Sequence, residues 1–181
     1  MIWNDERLTI GCLEGDLVRP LDPECINPAS VDLRLGTSYR RPDKVWELRP
    51  GAWTLREIPP TWADEQHMPD CGIMLMPGEF ILCCSLETVH LPAHCCGILY
   101  SKSSTGRRGL EHMHAGYIDP GFRGQLTFEF HNVAPWPIHL EPGQRVMQMC
   151  VDQMIAPAMR DYGQTGRYQN QVGATPAKDA R

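Results

Sequence analysis

Residues 102–130, KSSTGRRGLEHMHAGYIDPGFRGQLTFEF, hold the chain's densest set of side chains that could do chemistry. Lys102, Ser103, Ser104, Arg107 and Arg108 make a short donor-rich loop. Hydroxyls, backbone N–H groups and guanidinium forks suit phosphate oxygens, which Arg can grip in bidentate fashion. A solvated turn whose serines satisfy local backbone groups uses the same residue types, and spacing alone leaves both readings open. Asp119, in YIDPGFRG, is either a turn residue or an acceptor for a ligand hydroxyl. Glu129 lies between Phe128 and Phe130 in LTFEFHN. Strand alternation puts it on the face of Thr127, opposite both phenylalanines. If that face is wet, the residue is ordinary. If it lines a pocket, a carboxylate there is placed for proton transfer.

Metal chemistry has weaker support. His112 and His114 are two apart and would share a face on a strand, but no third ligand is evident. His94, Cys95 and Cys96 are adjacent, yet neighbouring strand residues point to opposite faces. None of the eight cysteines forms a C-x-x-C pair. In their apolar surroundings they read as small buried hydrophobes. The H-x-E…P-C-x-x-C signature of zinc nucleobase deaminases is absent, as is a G-x-x-x-x-G-K-[ST] phosphate loop. The expectation is a site without zinc.

The elements that would position these residues are mostly strands. EFILCCSLETVHL, CCGILYS, GQLTFEFHNV, WPIHLEPG and RVMQMCVDQM are strand-length and bounded by turn signals. VDLRLGTSY alternates Val31, Leu33 and Leu35 against Asp32 and Arg34, as a half-buried strand does. One helix is expected, over about residues 4–16, with Asn4 as its cap and Leu8 and Cys12 on one face. Such short strands suggest a distorted β-barrel or jelly roll, a mainly β fold with a short N-terminal helix. A single domain over residues 1–156 is expected. The tail, 157–181, loses the apolar pattern and reads as a flexible lid ordered on a ligand. The net charge of −5 argues against a nucleic-acid polymer as partner. No apolar run is long enough for a membrane-spanning helix, and no signal peptide is evident, so a cytoplasmic location is expected.

Several stretches, in order, resemble the trimeric dCTP deaminase / dUTPase superfamily, nearest its deaminase branch. They are INPASVDLRLG (26–36), MPGEFILCCSLETVHLP (76–92), KSSTGRRGL (102–110), AGYIDPGFRGQLTFEFHN (115–132), LEPGQRVMQM (140–149) and GRYQNQVG (166–173). The resemblance implies a dUTPase-like barrel and zinc-free hydrolytic deamination of dCTP. Glu129 would be the base that activates water, with Ser103, Arg107 and the backbone carbonyl of Ala115 around it. Lys102, Ser103, Ser104 and Arg107 would lie on the triphosphate, with Mg²⁺ riding on its oxygens. Asp119 would hold the deoxyribose hydroxyl, and Tyr162, Arg167 and Gln171 would close over the phosphates. It also implies a homotrimer with shared sites. The expected product is dUTP. The alternatives are a bifunctional enzyme releasing dUMP and diphosphate, a dUTP diphosphatase, or a non-enzymatic nucleotide-binding relative. Two segments depart from the pattern. EHMHAGY, between Leu110 and Ile118, is one residue shorter than the usual deaminase loop, and the tail between Tyr162 and Arg167 is shortened.

Overall fold

The structure is a computed structural model that describes residues 1–43 and 62–178. The expected helix is present as α1 (Asp5–Gly15). The Asn4 side chain accepts from the Arg7 amide at 3.1 Å, satisfying one of the first turn's free donors. Leu8 and Cys12, four apart, are the residues α1 buries.

Strands make up most of the rest. They are β1 (Val18–Arg19), β2 (Ile26–Asn27), β3 (Ser30–Arg40), β4 (Gln66–His67), β5 (Ile73–Leu75), β6 (Phe80–His90), β7 (Cys95–Ser101), β8 (Leu110–His112), β9 (Tyr117–Ile118), β10 (Arg123–Asn132), β11 (Ile138–Leu140) and β12 (Arg145–Gln153). The main sheet runs β8-β10-β6-β3-β12-β7-β9, with β1 on β6 and with β2 and β4 on β3. Every pairing within it is antiparallel. A two-stranded sheet, β11 with β5, completes it. The mainly β expectation holds, in the form of a sheet curled into a half-barrel.

Register slips produce the curl. They fall between Leu35 and Tyr39, between Gln125 and Thr127, and between Arg145 and Met147. Such irregularities bend a strand and increase its twist. At the first slip Gly36 meets β6 so closely that an added Cβ would lie 2.6 Å from Cys84 Sγ and 2.9 Å from the Ser85 carbonyl. Only glycine fits there.

Two expectations need correction. β3 is not half-buried. Val31, Leu33 and Leu35 are in the core, but Asp32 is also buried, at 1% exposure. Its carboxylate is paired with Lys102 and accepts from Asn27 Nδ2 at 2.9 Å. A polar residue can hide its charge when partners meet it, which hydrophobic alternation does not reveal. The tail, too, finds a core to join. After a short turn of helix, α3 (Tyr162–Thr165), it runs beside β10, and Ala174 is buried. It attaches mainly through its backbone, so an apolar pattern was not needed.

Asn132 closes the end of β10. It has no exposed surface, donates to the Leu75 and Trp136 carbonyls and accepts from the Ala134 amide, each at 2.9 Å. Asn132→Ala would orphan these groups at about 1 kcal/mol or more apiece. We expect the variant to lose about 3 kcal/mol and to melt roughly 6–12 °C lower, read by calorimetry.

Candidate active site

The pleat of β10 positions Glu129. Phe128 and Phe130 enter the core with no exposed surface, and Glu129 emerges half-buried on the other face beside Thr127. That face forms one wall of a cavity of about 450 Å³. Ala115, Asp119, Tyr162 and Gln171 line the same cavity, so five of the residues singled out in the sequence meet around it. Leu82, Leu99, Ile118 and Leu126 make much of the remaining wall. An apolar cleft with a few convergent polar groups suits a flat, partly polar ring.

Asp119 is a turn residue that also lines the cavity. Its carbonyl accepts the Phe122 amide at 3.1 Å across a turn in which Gly121 has φ +81°, while the residue itself lines the cavity. Tyr162 is fixed by its ring against Phe122, with centroids 5.6 Å apart, and by its hydroxyl, which accepts the Tyr168 amide at 3.2 Å. The Gln171 amide nitrogen donates to the Gln125 carbonyl at 2.7 Å. That bond fixes which way round the carboxamide lies, and its buried oxygen is left without a partner in a cavity-lining residue.

The phosphate-type loop lies elsewhere. Ser103 and Ser104 start a single helical turn, α2 (Ser103–Gly106), and both are exposed, as is Arg107. None of the three lines the Glu129 cavity, nor does the exposed Arg167. The Lys102 ammonium, which would be expected to face a ligand, is turned inward onto buried Asp32. Beyond α2 a second cavity, of about 280 Å³, is lined by Gly106, Leu110, Glu111, His112 and His114 among others.

His112 connects the two regions, which sequence reasoning missed. The strand ends at His112, and His114 sits at a bend with φ +58°, so the pair does not share a strand face as expected. His112 is 3% exposed. Its Nε2 lies 3.2 Å from Glu129 Oε2, too poorly aligned for a hydrogen bond, and both buried atoms lack another partner. The ring stands edge-on to Phe128 and Phe130, with centroids 6.4 and 6.2 Å away. Its cross-strand pairing with Phe130 was the usable signal, and that depends on long-range register.

Among the described residues no three His, Cys, Asp or Glu side chains are grouped to hold a metal ion. The cysteines are free thiols, and Cys83, Cys84 and Cys95 are buried. Burial pushes the Cys95 thiol up to about 11, away from the thiolate a metal would need.

A family profile described as dCTP deaminase-like matches residues 9–154. A protein of Corynebacterium glutamicum named "dCTP deaminase, dUMP-forming" is 41% identical over 98% of this chain and 96% of its own. One of the same name from Thermobifida fusca is 40% identical over 98% of this chain and 92% of its own. Among solved structures, the 2'-deoxycytidine 5'-triphosphate deaminase of Agrobacterium tumefaciens superposes with a TM-score of 0.65 at 26% identity. That alignment covers 83% of this chain and 47% of the Agrobacterium chain, so the present chain spans about half of that protein.

The inward turn of Lys102 has a measurable consequence. Removing Lys102 leaves the buried Asp32 carboxylate with only Asn27 and the exposed Arg145 guanidinium, 3.8 Å away, to offset its burial. We expect Lys102→Met to cost about 3 kcal/mol of stability. Asp32→Asn in the same chain should restore most of the loss, measured by denaturant unfolding. If Lys102 served only a ligand, the single variant would unfold like the parent.

Proposed function

The chain belongs to the dCTP deaminase-like family, and on that premise we propose that it deaminates dCTP hydrolytically and releases dUMP, diphosphate and ammonia. The observation that carries this reading is Glu129, an ionisable side chain held between two core phenylalanines and opening onto a cavity with Asp119, Tyr162 and Gln171. In the proposed reaction the Glu129 carboxylate takes a proton from a water molecule as that water adds to carbon 4 of the cytosine ring. The same group hands the proton to the ring nitrogen, then helps ammonia depart, acting first as base and then as acid. The Ala115 carbonyl helps hold the water, and Asp119 accepts from the deoxyribose hydroxyl. A second water cleaves the bond between the α- and β-phosphates. Release of dUMP in place of the dUTP first expected is supported by relatives at about 40% identity that are named dUMP-forming.

Among the described residues no Arg or Lys lines the Glu129 cavity, while Ser103, Ser104 and Arg107 stand exposed away from it. A homotrimer, in which one subunit's serine loop faces its neighbour's cavity, would join the two halves. The Ser103 and Ser104 hydroxyls and the Arg107 guanidinium can all donate to phosphate oxygens, and a guanidinium, having no acceptor, holds no cation. Mg²⁺ therefore belongs to this reading as part of the nucleotide, carried on its phosphates, and zinc has no part in it.

Two experiments test the proposal. Incubation with dCTP and Mg²⁺ should yield ammonia, dUMP and diphosphate in equal amounts; accumulation of dUTP would assign deamination alone. Glu129→Gln keeps the shape but removes the base, so turnover should fall by at least about 10²-fold with nucleotide affinity changed far less. A folded Glu129→Gln enzyme working at the parent rate would exclude Glu129 as the base. Light scattering should give about three times the chain mass of 20.5 kDa.

A further inference from the structure

Residues 171–175 of the tail are received by side chains of the barrel. The Gly173 amide donates to Gln125 Oε1 at 2.7 Å, and the Ala174 amide donates to Ser38 Oγ at 2.8 Å. The Thr175 amide donates to Thr127 Oγ1 at 3.2 Å, and the Ala174 carbonyl accepts from Arg40 Nε at 2.9 Å. Four side chains from two strands thus hold three consecutive residues by their backbone. A parallel bridge between Gly124 and Gln171 extends the contact.

The receiving side chains are themselves held. Gln125 Nε2 donates to the Ser85 carbonyl of β6 at 2.8 Å, Ser38 Oγ donates to Glu65, and Arg40 also donates to the Ala63 carbonyl at 3.0 Å. Gln125 sits at the slip in β10 register, which turns it and Thr127 towards the tail. Gly173 has φ +74°, and a Cβ there would overlap the Glu65 carboxylate and lie 2.9 Å from Ser38 Oγ. The fit leaves no room for a side chain at that position.

We propose that Ser38 and Gln125, with Arg40 and Thr127, are positioning residues that form a seat for residues 171–175 and thereby set Gln171 and Thr175 on the wall of the Glu129 cavity. They act on the ligand only through the tail. With the tail seated, the Gln171 amide is anchored on Gln125 and presents its unpaired oxygen, so the seat fixes which end of that carboxamide meets a ligand. The kinetic part of the inference rests on the dCTP reading above; the seat itself does not.

The two are separable by hydrogen exchange and kinetics on the full-length protein with Ser38→Ala and, from the tail side, Gly173→Ala. Without nucleotide, the amides of 173–175 should exchange slowly in the parent and at least about tenfold faster in both variants, since each loses the bonded geometry that protects them. If only part of the population is seated, apparent affinity falls by that fraction while saturating substrate restores the seated form. The KM for dCTP should therefore rise roughly tenfold, with kcat within about twofold of the parent. Melting curves report whether each variant folds, and Gly173→Ala carries the test if Ser38→Ala does not. Equally slow exchange in folded variants and parent, or a fall in kcat at unchanged KM, would overturn the seat. Faster exchange in variants of a protein that leaves dCTP untouched would keep the seat and remove the substrate reading.

Discussion

One constraint organises the molecule around β10. Its neighbours β6 and β8 hold it on both edges, and two phenylalanines on one face have nowhere to go but the core. Because side chains alternate along a strand, burying Phe128 and Phe130 forces Glu129 out onto the opposite face. A slip of one residue would bury the carboxylate and expose two aromatic rings, a penalty of several kcal/mol. The position of the Glu129 carboxylate is thus enforced by hydrophobic burial, and no polar contact is needed to aim it.

Charge plays the corresponding part for the loop after β7. Asp32 is buried on β3, and Lys102 reaches across to it from the start of α2, so the turn bearing Ser103 and Ser104 is tied to the centre of the sheet. A second buried carboxylate on the sheet, Glu87, is met by Arg34 through both its backbone amide and its Nε. Burial still outweighs that pairing and holds the Glu87 carboxyl above the usual range. Strand alternation alone announces the burial of neither carboxylate. Each is bound to a cation, Asp32 to Lys102 and Glu87 to Arg34.

The features legible in the sequence were those fixed by local rules. Asn4, Leu8 and Cys12 announced α1, and turn residues bracketed the longer strands. Period-two alternation placed Glu129 opposite its phenylalanine neighbours. Asp119 stands out in its Asp-Pro-Gly turn, Ala115, Tyr162 and Gln171 only through family resemblance, and the cavity gathers all four. What stayed hidden depends on contacts between distant segments. His112 looked like half of a weak metal pair because its partner, Glu129, is brought to it by the register of β8 on β10. Lys102 looked like a ligand for an anion because Asp32, 70 residues away, is silent in a hydrophobicity pattern. Ser38 and Gln125 gave no signal, since a backbone acceptor site has no spacing rule of its own.

The way the tail is held also bears on how its sequence can change. The barrel side chains address amide and carbonyl groups, which every residue but proline supplies in full. Position 173 must stay small, whereas Val172, largely exposed, meets no such demand. The information that recognises this segment is therefore written in β3 and β10 and scarcely at all in the segment itself. Substitutions can therefore accumulate along the tail, position 173 aside, with its path unchanged.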